Sequence, residues 1–154
     1  MPRCSSATAE VAPIVASVEV DRPAEEVFAY ATDPARFREW QKGVVDGRLD
    51  GPEAVVGARC VITRRIGGAD RAATSEVTRL DAPRAWAVRG IDGPIRATVD
   101  VDVEALGETR SRLTIAVDFE GHGIGAVLVP LVVRREARKE MPVNVANLKA
   151  RLEA

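Results

Sequence analysis

The hydrophobic pattern of the chain has a period of two over most of its first 120 residues, which predicts β-strands. A first strand is predicted over residues 14–20. Six more follow over residues 43–49, 58–66, 71–80, 85–91, 95–105 and 109–120. The breaks between these six are short and contain Gly, Pro or Asp, and short connections join antiparallel neighbours because parallel pairs need long crossovers. The pattern therefore predicts a single antiparallel sheet.

Two short helices are predicted between the first strand and the second. Pro23 fits the first turn of a helix over residues 23–31, and the acidic residues that follow it favour the positive end of the helix dipole. Asp33 can cap and Pro34 can open a second short helix that runs to Trp40. Phe37 lies three residues before Trp40 and shares its helical face.

The alternation is clearest in the last two predicted strands. Small apolar residues occupy one face of the strand over residues 95–105, and charged residues occupy the other. The members of the apolar set are Ala97, Val99, Val101 and Val103. A curved sheet holds its centre away from a covering helix, and short side chains do not fill that gap. Two interpretations stay open: these residues line a pocket, or larger residues from the helices fill it.

A long helix is predicted over residues 125–152, about 42 Å at 1.5 Å per residue. Its second half carries an apolar stripe, and the same face continues upstream. The stripe consists of Met141, Val145, Leu148 and Leu152, and the upstream members are Ala137, Leu131 and Val127. Pro142 is expected to kink the helix near Arg138. Pro130 marks either a bend or the true start of the helix.

Composition narrows the class of protein. The length of 154 residues predicts one domain over residues 13–154 after a disordered lead of residues 1–12. The net charge of −1 does not indicate the excess of positive charge that is typical of a protein that binds nucleic acid. No apolar stretch reaches the length of an integral membrane segment. Cys4 and Cys60 do not form a disulfide framework, which favours reduced thiols and a cytoplasmic protein. We expect a monomer or a homodimer.

Few residues point to chemistry. Arg134 lies within about 20° of Met141 on an ideal helical wheel, so its guanidinium either meets a ligand carboxylate or carbonyl, or extends to water. Trp40 and Trp86 either wall an opening or pack in the core. Tyr30 is interpreted as a boundary residue and His122 as a loop residue.

No catalytic, cofactor or metal site is predicted. One histidine and two distant cysteines do not supply the usual zinc ligands. The glycine pairs in the chain match no nucleotide-binding pattern.

The order of strand, two short helices, six strands and long helix resembles the α+β helix-grip fold. Several stretches also resemble the polyketide cyclase/dehydrase-like branch of the START-related SRPBCC superfamily. They are residues 18–28, Asp33-Pro34 with Phe37 and Trp40, Glu76-Val77-Thr78, Pro83-Arg84, Asn147-Leu148-Lys149 and Leu152-Glu153. The resemblance implies a strongly curved seven-stranded antiparallel sheet around a long C-terminal helix. It also implies a cavity that accepts lipids, polyketides or isoprenoid-like molecules.

The leading hypothesis is therefore a protein that binds a small hydrophobic or amphipathic ligand between the sheet and the C-terminal helix. A polyketide aromatase or cyclase is the first alternative and rests on the resemblance alone. A non-catalytic interaction module is the second. The predicted ligand-binding residues are Trp40, Trp86, Val99, Val101, Leu131, Arg134 and Met141.

Overall fold

The computed structural model describes residues 12–66 and 68–154 and has the predicted α+β helix-grip fold. The predictions for the N-terminal lead, including Cys4, and for Gly67 lie outside the described residues. The strands are Ile14–Val20 (β1), Val44–Asp50 (β2), Arg59–Ile66 (β3), Ala69–Asp81 (β4), Ala85–Gly90 (β5), Ile95–Gly107 (β6) and Arg110–Gly121 (β7). They form one curved antiparallel sheet in the order β1-β7-β6-β5-β4-β3-β2.

The two short helices follow β1 as predicted. Helix α1 spans Ala24–Ala31 and begins after Pro23. The Asp33 side chain accepts a hydrogen bond from the backbone N–H of Ala35 and so caps a 3₁₀ turn over Pro34–Arg36, which leads into α2 over Phe37–Trp40. The 3₁₀ turn lies directly on β2, where a Cβ on Gly47 would come within 2.2 Å of the Pro34 carbonyl oxygen.

The C-terminal helix differs from the predicted single α-helix. It consists of α3 over Gly125–Leu128, a π-helical turn over Val129–Val133 and α4 over Arg134–Glu153. Pro130 lies inside the π-helical turn, where its missing N–H is compatible with the wider hydrogen-bonding pattern. Helix α4 continues through Pro142 to its end.

The π-helical turn corrects the predicted apolar face. Met141, Val145 and Leu148 are buried, as the stripe predicts, but Leu131 and Val127 are 65% and 57% exposed. A π-helical turn contains more residues than an α-helical turn. The side chains upstream of it are therefore rotated about the helix axis relative to an ideal α-helical wheel. The prediction that these two residues share the buried face was wrong for that reason.

The core lies between the concave face of the sheet and the helices. Helix α4 packs mainly against β1 and α2, while α1 packs on β6 and β7. Val20, Val27, Leu113 and Leu148 are all 0% exposed at these contacts. The helices thus cover the half of the sheet that contains the end of β1 and the start of β7.

Candidate functional site

Burial decreases along the concave face of β6 and β7 with distance from α1 and α4. Along β6, Val101 and Val103 are buried, whereas Val99 and Ala97 are only half-buried. Phe119 pairs with Ala97 in the neighbouring strand β7 and is also half-buried. Val117, which pairs with Val99, completes this patch. We call these four residues, Ala97, Val99, Val117 and Phe119, the open concave surface.

Burial of the small apolar residues differs along the strand. The inner pair, Val101 and Val103, is buried in the core, whereas the outer pair, Ala97 and Val99, is only half-buried. Apolar surface that folding leaves accessible in a concavity is the usual feature of a small-molecule site. The role of Val99 and Val101 in ligand binding stays a prediction.

The predicted tryptophans are buried in the core. Trp40 and Trp86 are each 4% exposed, and both contact Phe37 edge-to-face with centroid distances of 5.9 and 6.2 Å. Their edge-to-face packing on Phe37 fills much of the core between α2 and β5. Within the described part of the chain, the indole N–H of Trp40 has no hydrogen-bond acceptor. Whether either ring contacts a ligand stays a prediction.

Arg134 is buried and held by the protein itself. Its side chain donates to the Asp118 carboxylate at 2.9 Å and to the Ala12 backbone carbonyl at 2.5 Å. Only 5% of the residue is exposed, so it does not extend to water. The guanidinium joins the start of α4 to β7 and to the segment before β1. These two internal partners engage Nη1 and Nη2, while Nε has no hydrogen-bond acceptor among the described residues, and the ligand role of Arg134 stays a prediction.

The two remaining predicted residues lie on opposite sides of the helix surface. Met141 is 8% exposed and belongs to the core, while Leu131 projects from the π-helical turn. Leu131 therefore lies on the outer surface, where a ligand-binding role is also still a prediction.

Sequence reasoning missed the arginines on the concave face. Arg64 has the same alternation phase in β3 as buried Cys60 and half-buried Ile62, so its side chain starts from the concave side. Arg71 is its direct partner in β4 and points to the same side. The Arg64 Nη2 donates to Gln41 Oε1 at 3.0 Å. The alternation of β3 already places Arg64 on the same face as Cys60 and Ile62. It was overlooked because a charged residue was not expected on that face.

Arg64 lies near the helices while it remains accessible to water. Burial of the guanidinium lowers the pKa of Arg64, and the Glu140 carboxylate on α4 acts in the opposite direction. The side chain itself is exposed to solvent. The hydrogen bond to Gln41 at the end of α2 and the influence of Glu140 on α4 place the guanidinium on the side of β3 that faces the helices. Arg64 therefore marks the β3 end of the space between the sheet and α4.

The other ionisable candidates lie elsewhere. Tyr30 donates to Glu39 Oε1 at 3.0 Å, and burial together with this carboxylate raises the pKa of Tyr30 to about 12. His122 lies in the loop before α3, as predicted, with its Nε2 3.1 Å from a Glu120 carboxylate oxygen. Burial raises the pKa of the Cys60 thiol. None of these groups has the arrangement of a nucleophile and its base.

Two grooves open to solvent lie outside the concave face. One, of about 810 Å³, runs from α1 to the β6–β7 hairpin, and its Arg112 side chain is already paired with Glu104 at 2.9 Å. The other, of about 730 Å³, lies between β1 and α4 and includes Val15. Neither groove contains any of the predicted ligand-binding residues.

Known proteins share sequence similarity with most of this chain. The family described as "Polyketide cyclase / dehydrase and lipid transport" matches residues 12–153. An uncharacterized protein of Mycobacterium tuberculosis is 33% identical over 113 residues, which are 72% of this chain and 48% of that protein. The chain thus spans about half the length of that relative.

Solved structures show the same fold at low sequence identity. A START superfamily protein from Mycobacterium smegmatis superposes with a TM-score of 0.70 at 14% identity, over 93% of this chain and 98% of that one. The di-domain ARO/CYC protein BexL from the BE-7585A biosynthetic pathway superposes with a TM-score of 0.68 at 18% identity, over 93% of this chain and 47% of that one.

Within the described residues, no helix combines the length and the apolar character needed to cross a membrane.

Proposed function

The chain belongs to the polyketide cyclase / dehydrase and lipid transport family, and on that premise we propose that it binds a small hydrophobic or amphipathic molecule on the open concave surface. The observation that carries the proposal is the loss of burial along one face of β6, from Val101 at 2% exposed to half-buried Ala97 and Val99. A chain that needed only a solid core would place larger side chains at these positions.

Apolar burial supplies most of the binding free energy in this proposal. Each CH₂ group of a ligand that leaves water contributes about 0.8 kcal/mol, before the cost of association is subtracted. Val99, Val117 and Phe119 present hydrocarbon to such a chain without losing any of their backbone hydrogen bonds, because those bonds lie within the sheet. The site therefore favours an extended or planar apolar group over a polar metabolite.

A substitution that fills the concavity tests the proposal. We expect Ala97→Trp to lower the affinity for decanol at least about tenfold, which corresponds to 1.4 kcal/mol, because the indole would occupy the ligand's space. Affinity is measured by displacement of the neutral fluorophore N-phenylnaphthylamine. Thr98→Trp is the matched control, since Thr98 is the next residue of the same strand and points to the other face.

Two results would count against the proposal. In the first, the wild-type protein binds neither the fluorophore nor decanol. In the second, Ala97→Trp and Thr98→Trp bind decanol equally well while both remain folded by circular dichroism.

An aromatase or cyclase acting on a polyketide-like substrate is the second candidate. It is favoured by the position of Arg64, because a guanidinium in a concavity can stabilise negative charge that develops on a substrate oxygen. The fold shared with BexL agrees with this candidate without establishing it. An enzyme would convert a polyketide mimic into a cyclised product with loss of water, whereas a carrier would return it unchanged in mass.

A further inference from the structure

Two arginines face each other across the concave side of the β3–β4 hairpin. Arg64 and Arg71 are direct antiparallel partners, and directly opposed side chains of a strand pair lie on the same face. Like charges at this spacing destabilise a strand pair. Among residues 12–66 and 68–154, neither arginine has a carboxylate oxygen within 4.0 Å. The fold therefore holds two positive charges together without a balancing partner in contact.

The neighbouring residue in the strand shows the opposite arrangement. Arg65 points to the convex face, where its Nε donates to Asp70 Oδ1 at 2.8 Å. Other arginines on the sheet are paired in the same manner, such as Arg79 with Asp102 at 2.9 Å. Arg59, Arg89 and Arg96 also start from the outer face but have no carboxylate oxygen within 4.0 Å among the described residues, so the inner pair is distinguished by its position on the concave side.

Arg64 is also oriented toward the helices that pack on the sheet. Gln41, at the end of α2, accepts the hydrogen bond from one terminal nitrogen of Arg64 and fixes the plane of the guanidinium. Glu140 of α4 influences the Arg64 charge but lies beyond ion-pair distance. Arg64, Arg71 and Glu140 together leave one excess positive charge at the rim. A planar guanidinium that keeps free N–H groups is suited to bind a carboxylate through two parallel hydrogen bonds.

We propose that Arg64 and Arg71 form an anion-binding pair at the rim of the open concave surface, and that the natural ligand is an amphipathic molecule with a carboxylate group. The carboxylate lies between the two guanidinium groups, and the apolar part of the ligand extends along the concave side of the sheet toward Ala97. This inference rests on the proposed function and adds the ligand's chemical class to it.

Decanoate and decanol provide the test, because they share one alkyl chain and differ in charge. At pH 7.5 we expect the wild-type protein to bind decanoate at least about tenfold more tightly than decanol, since a charge-assisted pair adds more than a neutral hydrogen bond. Arg64→Met and Arg71→Met keep most of the side-chain volume and remove the charge. Each is expected to bring decanoate affinity down to that of decanol and to leave decanol affinity within about twofold of the wild type.

Arg65→Met is the matched control, because it removes the same charge from the opposite face of the same strand. It is expected to bind decanoate as the wild type does. Since Arg64 and Arg71 are both exposed, their substitution is not expected to prevent folding, and thermal unfolding of each variant verifies this.

Three outcomes would overturn the inference. Equal wild-type affinities for decanoate and decanol would exclude anion recognition while leaving the proposed function intact. An equal loss in Arg64→Met, Arg71→Met and Arg65→Met would indicate a non-specific charge effect. Binding of neither compound would exclude the proposed function together with the inference.

Discussion

Leu148→Ala is expected to lower the free energy of unfolding by about 2–5 kcal/mol, the range for a buried leucine that leaves a cavity. Leu148 is 0% exposed and lies in the second half of α4, which packs against β1 and α2. The surrounding residues come from both the sheet and the helices, so the site has little freedom to collapse. Urea denaturation, followed by tryptophan fluorescence, measures the change.

Leu131→Ala is the control for this substitution. It removes the same atoms from the same C-terminal helical segment, but Leu131 is 65% exposed. We expect a change within about 0.5 kcal/mol, as for most surface substitutions. If the two variants were equally destabilised, the phase of the helix across the π-helical turn would differ from the one described.

Gly47→Ala is expected to destabilise the protein by about 1–3 kcal/mol or more, because a methyl group there overpacks a backbone contact. The added Cβ would lie 2.2 Å from the Pro34 carbonyl oxygen and 3.0 Å from the Pro34 carbonyl carbon. Backbone atoms cannot move aside as a flexible side chain can. The 3₁₀ turn and α2 would have to shift away from β2, and with them Trp40. The midpoint of urea denaturation reports this change.

Gly107→Ala serves as the comparison, since Gly107 is also a strand glycine. A Cβ at Gly107 would meet no atom within 4 Å. Alanine restricts the unfolded chain more than glycine does, so this variant is expected to be unchanged or slightly stabilised. Equal effects of the two substitutions would mean that the 3₁₀ turn does not rest on β2.

The sheet could be predicted from the sequence because each of its features is local. Alternating residues define a strand, and a short break containing Gly, Pro or Asp defines an antiparallel turn. The observed β6, for example, begins at Ile95 as predicted and ends two residues beyond the predicted end. The Asp33 cap was predictable for the same reason, since its acceptor and donor lie two residues apart.

The C-terminal helix was less predictable, because its phase depends on a π-helical turn. No residue type specifies such a turn, and Pro130 alone left two interpretations open. An ideal wheel carried past the turn placed Leu131 on the inner face when it lies on the outer one. Arg134, at the start of α4, is buried on the side where the ideal wheel placed it, but its internal partners come from residues far away in sequence.

The arginine pair was missed because the sequence was searched for apolar residues inside the sheet. Residues on β3 and β4 become neighbours only through the register of the hairpin, which the alternation pattern does not fix on its own. Once the register pairs Arg64 with Arg71, the two charges become a feature of the concave face. A search for apolar residues on one face of a strand is expected to miss functional polar residues on that face.

The most direct test of the central claim is a methyl NMR titration of the valine-labelled protein with decanol. A ligand on the open concave surface is expected to shift the methyl resonances of Val99 and Val117. It is expected to leave those of Val15, in the groove between β1 and α4, and of Val143, on the outside of α4, unchanged. Shifts at Val15 or Val143 with Val99 and Val117 unmoved at saturation would contradict the account.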